Sequence, residues 1–154
     1  MARVLIVGCG GRGQALAREL VAAGHAVRGT SRDPRRTPDI EAAGAEAYVG
    51  DPDRIATLMD ALTGTTIVCW LMATAEAPDL HEGRLRMMCE KLVDTPVRGV
   101  VYEASGHGAA GVAIVRDAET RWNIPVALVT TPPECCPEWM TSTAEAVESL
   151  LAPR

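Results

Sequence analysis

Six short strand-like segments, at residues 4–7, 26–30, 47–49, 66–71, 97–102 and 126–130, alternate along the chain with six stretches of helical character. A run such as Val4-Leu5-Ile6-Val7, apolar at every position and stopped by glycine, is the pattern of a strand buried on both faces. The helical stretches are 12–23, 39–43, 52–62, 80–93, 109–122 and 137–151. In the first, Leu16, Leu20 and Ala23 recur at helical spacing and Gly24 supplies a stop; in the fourth, Leu85, Met88, Cys89 and Leu92 share one face. Strand–helix alternation of this kind requires a parallel sheet, helices on both of its faces and right-handed crossovers. The expectation is a three-layer, doubly wound α/β unit of six strands that takes up all of residues 1–154 as one domain, with no linker or repeat.

Composition agrees and excludes other classes. With 154 residues, 47% of them hydrophobic, the chain has enough apolar surface for a core. Aromatics are only 3% and Phe is absent, so Ala, Val, Leu, Ile and Met are expected to fill that core. Fifteen basic residues against 20 acidic ones leave a net charge of −5, which argues against nucleic acid or an anionic membrane as partner. No apolar run approaches the roughly 20 residues that span a bilayer. Five cysteines without framework spacing suit a reducing compartment, and a cytoplasmic location is expected.

The first strand runs straight into Gly8-Cys9-Gly10-Gly11-Arg12-Gly13, a G-x-G-x-x-G pattern that opens the first helix. Here Gly8 allows the tight turn, Gly10 lets the backbone approach a pyrophosphate, and Gly13 lets helix and strand pack closely. The helix start then offers unpaired N–H groups and partial positive charge to an anion. Such a pattern gains its meaning from a preceding strand, a following helix and a βαβ unit, all expected here. The alternative is a purely structural glycine turn; Cys9 within it is read as a packing residue whose backbone joins the cradle.

The end of the second strand should distinguish NAD from NADP. NAD sites place Asp or Glu about 20 residues beyond the glycines, on the ribose 2′-hydroxyl. This chain has Gly29-Thr30-Ser31-Arg32 there. Hydroxyls and a guanidinium suit a 2′-phosphate, so NADP(H) is favoured, with Arg12 a second candidate for the same phosphate. Asp33 keeps NAD(H) open if the turn returns it to the ribose, and Arg32, Arg35 and Arg36 also read as a solvated loop. Asp51, before Pro52, suits a helix cap, an adenine contact, or both. Leu71, Met72 and Ala73 follow the fourth strand, where small or apolar residues let a dinucleotide pass along its adenine–ribose side.

On these residues, above all Val4 to Gly10, Gly24-His25-Ala26-Val27 and Gly29-Thr30-Ser31-Arg32, the chain resembles an atypical, extended-type short-chain dehydrogenase/reductase of the NAD-dependent epimerase/dehydratase-like branch. The resemblance is most specific over residues 3–52 and implies a Rossmann fold, strand order 3-2-1-4-5-6, and a bound dinucleotide. Two departures stand out. Family enzymes use a Tyr-x-x-x-Lys pair, the lysine lowering the tyrosine pKa for proton transfer at a carbonyl. Here Tyr48 is followed four residues on by Pro52 and Tyr102 by Gly106, Lys91 is the sole lysine, and stretch 109–122 has no tyrosine. Extended members also carry a substrate lobe after the sixth strand, whereas residues 131–154 suffice for one helix.

What the resemblance leaves as catalytic candidates is Ser105, at the position of the family's catalytic serine or threonine, and His107, with a pKa suited to proton donation. Loop and cap chemistry around Gly106 and Gly108 accounts for both and is the favoured reading. His25 reads as surface; His81 and Glu82 lack a third ligand, so no metal site is expected. Cys135-Cys136 is read as inert, adjacent cysteines closing only a strained ring. Three functions stay open: an NADPH-dependent oxidoreductase on a small acceptor (flavin, quinone or carbonyl), a non-catalytic NADP(H) sensor, and a subunit whose cleft a partner or a second copy completes. Flavins and quinones, which draw their proton from solvent, fit the missing pair better than ordinary ketones do.

Overall fold

The computed structural model describes residues 2–75 and 77–152. Strands β1 (Arg3–Val7), β2 (Ala26–Ser31), β3 (Glu46–Val49), β4 (Ile67–Trp70), β5 (Gly99–Glu103) and β6 (Val126–Val129) form one sheet. Their order is β3-β2-β1-β4-β5-β6, and every pairing is parallel. The order reverses between β1 and β4, and doubly wound sheets bind their ligands at that switch point, beyond the strands' carboxyl ends.

Alternation along β1 divides the core. Val4 and Ile6 face one layer with Leu16, Leu20, Ile40, Trp139 and Val147, built on α1 (Gly11–Ala22), α2 (Thr37–Ala42) and α5 (Cys136–Leu151). Leu5 and Val7 face the other, with Leu58, Leu85, Met88 and Val115, built on α3 (Gly83–Leu92) and α4 (Val112–Trp122). The aliphatic core expected from composition is present, yet three of its largest fully buried side chains are Trp70, Trp139 and Tyr102. Helix α1 ends as predicted: Gly24, at φ +97°, donates to the Val21 carbonyl while His25 donates to that of Leu20.

One predicted helix does not form. Residues 52–62 make two 3-10 turns, Ile55–Leu58 and Asp60–Leu62. Local polar contacts compete with the helix: Asp51 N–H donates to Thr57 Oγ1 at 2.8 Å, Asp53 N–H donates to Asp51 Oδ1 at 2.9 Å, and Thr57 Oγ1 donates to the Arg54 carbonyl at 2.7 Å. The buried Arg28 guanidinium also takes the Ala61 and Thr63 carbonyls. The fourth and fifth helical stretches begin as 3-10 turns, Pro78–His81 and Gly106–Gly111, before α3 and α4.

Candidate functional site

A cleft of about 700 Å³ lies over the carboxyl ends of the central strands, and its floor is the glycine loop. Gly8 sits at φ +84°, and a Cβ there would come within 2.8 Å of Met72 Cε. At Gly13 a Cβ would lie 3.2 Å from Ile6 Cγ2, so α1 packs directly on β1. Around Gly10 and Gly11 there is open space. The loop is tied to β2 by Gly8 N–H donating to Thr30 Oγ1 at 3.2 Å and Cys9 N–H to the Thr30 carbonyl at 3.0 Å. The N–H groups of Gly11, Arg12 and Gly13 make no hydrogen bond among the described residues. Three unpartnered amides at the start of α1, facing space that no side chain fills, fit a diphosphate.

Cys9 is buried, and Gly29 makes room for it: a Cβ on Gly29 would sit 2.7 Å from Cys9 Sγ. Burial pushes the Cys9 thiol up to about 12, so the side chain is packing, as predicted. Thr30 lines the cleft but is buried, and its hydroxyl accepts from Gly8 N–H.

Ser31, Arg32, Asp33 and Arg36 all border the cleft at the end of β2. The Asp33 carboxylate accepts from Arg35 N–H at 3.0 Å and from Arg35 Nε and Nη2 at 3.1 Å, and the Arg35 contacts hold its pKa below the ordinary carboxylate value. Exposed Arg32 and Arg36 have no ion pair among the described residues. Asp51 borders the cleft too, its carboxylate capping the turn through Asp53 N–H.

Arg12 departs from expectation. Its guanidinium does not point toward β2; it crosses the end of β4 to form a bidentate pair with Glu103, the last residue of β5. In this structure that guanidinium is committed to Glu103 and not to the end of β2, where the 2′-phosphate was expected. Glu103, fully buried in its side chain, also accepts from Ala73 N–H at 2.8 Å and from Trp139 Nε1–H at 2.7 Å. The Arg12 guanidinium lies 4.9 Å from the centroid of the Trp139 ring. Four donors from three segments satisfy one buried carboxylate, as burial demands. Sequence reasoning missed Glu103 and Trp139. The available signal was an acid closing an otherwise apolar strand, which needs a cation, with an arginine set in the glycine loop.

Leu71 and Met72 line the cleft as expected, while Ala73 is drawn into the Glu103 cluster and Thr74, Ala75, Ala77 and Leu80 continue the wall. Ser105 and His107 do not line it. Ser105 Oγ donates to the Thr131 carbonyl at 3.4 Å. Exposed His107 donates its backbone N–H to the Ala73 carbonyl at 3.0 Å, its ring stacked 6.3 Å from that of His81. Tyr102 is buried, its hydroxyl donating to the Gly108 carbonyl at 2.6 Å, and burial pushes its pKa up to about 12. Among the described residues no group of three or more metal-ligating side chains comes together. Cys135 and Cys136 are exposed and free at the start of α5.

Among solved structures, vestitone reductase from alfalfa (Medicago sativa) is similar at 13% identity, with a TM-score of 0.67 over 86% of this chain and 57% of that one. The Citrobacter triphenylmethane reductase complexed with NADP(H) is similar at 16% identity and a TM-score of 0.68, covering 84% and 49%. A short-chain dehydrogenase/reductase superfamily protein from Agrobacterium tumefaciens with bound NAD matches at 21% identity and 0.66, covering 83% and 48%. The chain therefore spans about half the length of these proteins, and the likeness establishes the fold. No curated protein matches. The sequence pattern of the NAD(P)H-binding family matches residues 8–101, which run from the glycine loop into β5. With that match over more than half of its length, and a glycine loop whose open amides sit at the switch point of the sheet, the chain belongs to the NAD(P)H-binding family.

Proposed function

We propose that this protein binds NADP(H) in preference to NAD(H) and that its redox chemistry, if loaded with an acceptor, is hydride transfer to a flavin or quinone. The observation that carries the cofactor preference is the end of β2: two guanidiniums without ion pairs among the described residues, next to a carboxylate already neutralised by Arg35. Arg32 and Ser31 would hold the 2′-phosphate, and the amides of Gly11, Arg12 and Gly13 the diphosphate. Bound NADPH would supply the hydride. The restriction on acceptors follows from the protein's own groups: Tyr102 is locked on the Gly108 carbonyl, and Ser105 and His107 stand outside the cleft, so none of these three is poised to give a carbonyl its proton. A second reading, a non-catalytic NADP(H) sensor, is favoured by the same displacement of Ser105 and His107.

Calorimetric titration with NADPH and NADH tests the preference, and Arg32→Ala tests its origin. Losing a charge-assisted contact of about 1.5–3 kcal/mol should weaken NADPH roughly 10- to 100-fold and leave NADH unchanged. Equal losses for both would refute the assignment. Turnover of NADPH with flavins or quinones supports the reductase; binding without turnover on either supports the sensor.

A further inference from the structure

Among the described residues, every one lining the cleft lies between Gly8 and Leu80, and none comes from β5, β6 or the loops that follow them. Yet a dinucleotide laid across the switch point extends from the β1–β2 side, over the glycine loop, to the far side beyond β4. The element that stands between is the Arg12–Glu103 pair. Arg12 starts in the first turn of α1, and β4 separates β1 from β5, so its side chain bridges the groove just past the loop's open amides. The bridge is fixed at both ends: Glu103 is also held by Ala73 N–H and Trp139 Nε1–H, and the guanidinium is stacked on the Trp139 ring. Moving Arg12 onto a bound diphosphate would strand a buried carboxylate, which is strongly unfavourable.

We infer that Arg12, Glu103 and Trp139 form a latch that closes the far half of the cleft, so that the site recognises the adenosine diphosphate half of its ligand and takes little affinity from the nicotinamide half. This rests on the dinucleotide-binding reading above and favours its non-catalytic sensor form, since a nicotinamide kept out of the cleft is not positioned to pass a hydride. Arg12 and Glu103 are specificity-determining residues in this sense: they decide how much of the ligand the protein reads.

The test is a set of binding constants by calorimetry for two pairs, NADP⁺ with 2′,5′-ADP and NAD⁺ with ADP, so that the outcome is independent of cofactor preference. In the unaltered protein the whole dinucleotide should bind within about threefold of its adenosine half. Glu103→Gln, which keeps an acceptor for Ala73 N–H but removes the charge that holds Arg12, should raise the ratio of the preferred pair to about tenfold or more. Arg12→Lys, which leaves Glu103 neutralised but replaces the planar fork by a single amine, should raise it in the same direction and serves if the first variant does not fold. A dinucleotide that binds the unaltered protein more than threefold tighter than its half, or a ratio unmoved in the folded variants, overturns the latch. Failure of all four ligands to bind at millimolar concentration would instead remove the dinucleotide reading itself.

Discussion

Gly8 meets two demands that a side chain would violate together. Its φ of +84° lies in the left-handed region, and a Cβ would press on Met72 Cε, a cleft-lining atom. Gly8→Ala should therefore cost at least about 1–2 kcal/mol from the backbone alone, read as a lowered urea midpoint. An unchanged midpoint would mean that the loop rearranges freely. Cysteines make a second contrast at this scale. Burial raises the pKa of Cys9, Cys69 and Cys89, the last to about 11, whereas Cys135 and Cys136 are exposed. A maleimide at neutral pH should label Cys135 and Cys136 in the folded protein, and the other three only after denaturant is added. Rapid labelling of Cys9 in native protein would contradict its place between Gly13 and Gly29.

Among the elements, what was legible followed from apolar periodicity and glycine placement. The six strands lie close to where the sequence predicts them, and the central β1 and β4 are marked by uniform apolar runs because a strand covered on both faces has no solvent side on which to display polarity. The stretch 52–62 misled because Ile55, Leu58 and Leu62 suit a helix or a pair of 3-10 turns equally. Asp51 and Thr57, acting on nearby backbone, decided between them. Arg12 was legible as a functional residue but not in its direction, since its partner is 91 positions away at the end of β5. Asn123 shows an element end that sequence did mark only weakly. It closes α4 at φ +56°, two residues ahead of Pro125. Asn123→Ala should lower stability by about 1 kcal/mol, while Asn123→Gly should preserve or raise it. Thermal unfolding distinguishes the two, and an alanine variant as stable as the parent would show that the left-handed cap carries no strain.

For the molecule as a whole, the buried ionisable groups set an alkaline limit. Cys9 rises from the ordinary 9.0 to about 12, and Tyr102 from 10.0 to about 12, both through burial that penalises the charged form. Above pH 9 the unfolded chain releases these protons while the folded chain retains them. The unfolded state then binds fewer protons, and stability falls as pH rises. The contribution is complete below pH 9 and is lost progressively toward pH 12, so urea midpoints should drop across that window. Midpoints that stay flat would mean these groups titrate normally in the fold.

The sheet's strand order also bears on how the chain is made. Of the sheet's six strands β1 is made before the others, yet it finishes in the interior, with β2 on one side and β4 on the other. Its second flank waits for residues that arrive some 63 positions later, the separation between Arg3 and Thr66. During that interval Val4-Leu5-Ile6-Val7 presents an edge of unpaired N–H and C=O groups flanked by apolar side chains, the type of surface that recruits strands from other molecules. A nascent chain halted before Ile67 is therefore a sticky species, and the ribosome must carry translation past β4 before this border can be sealed from within.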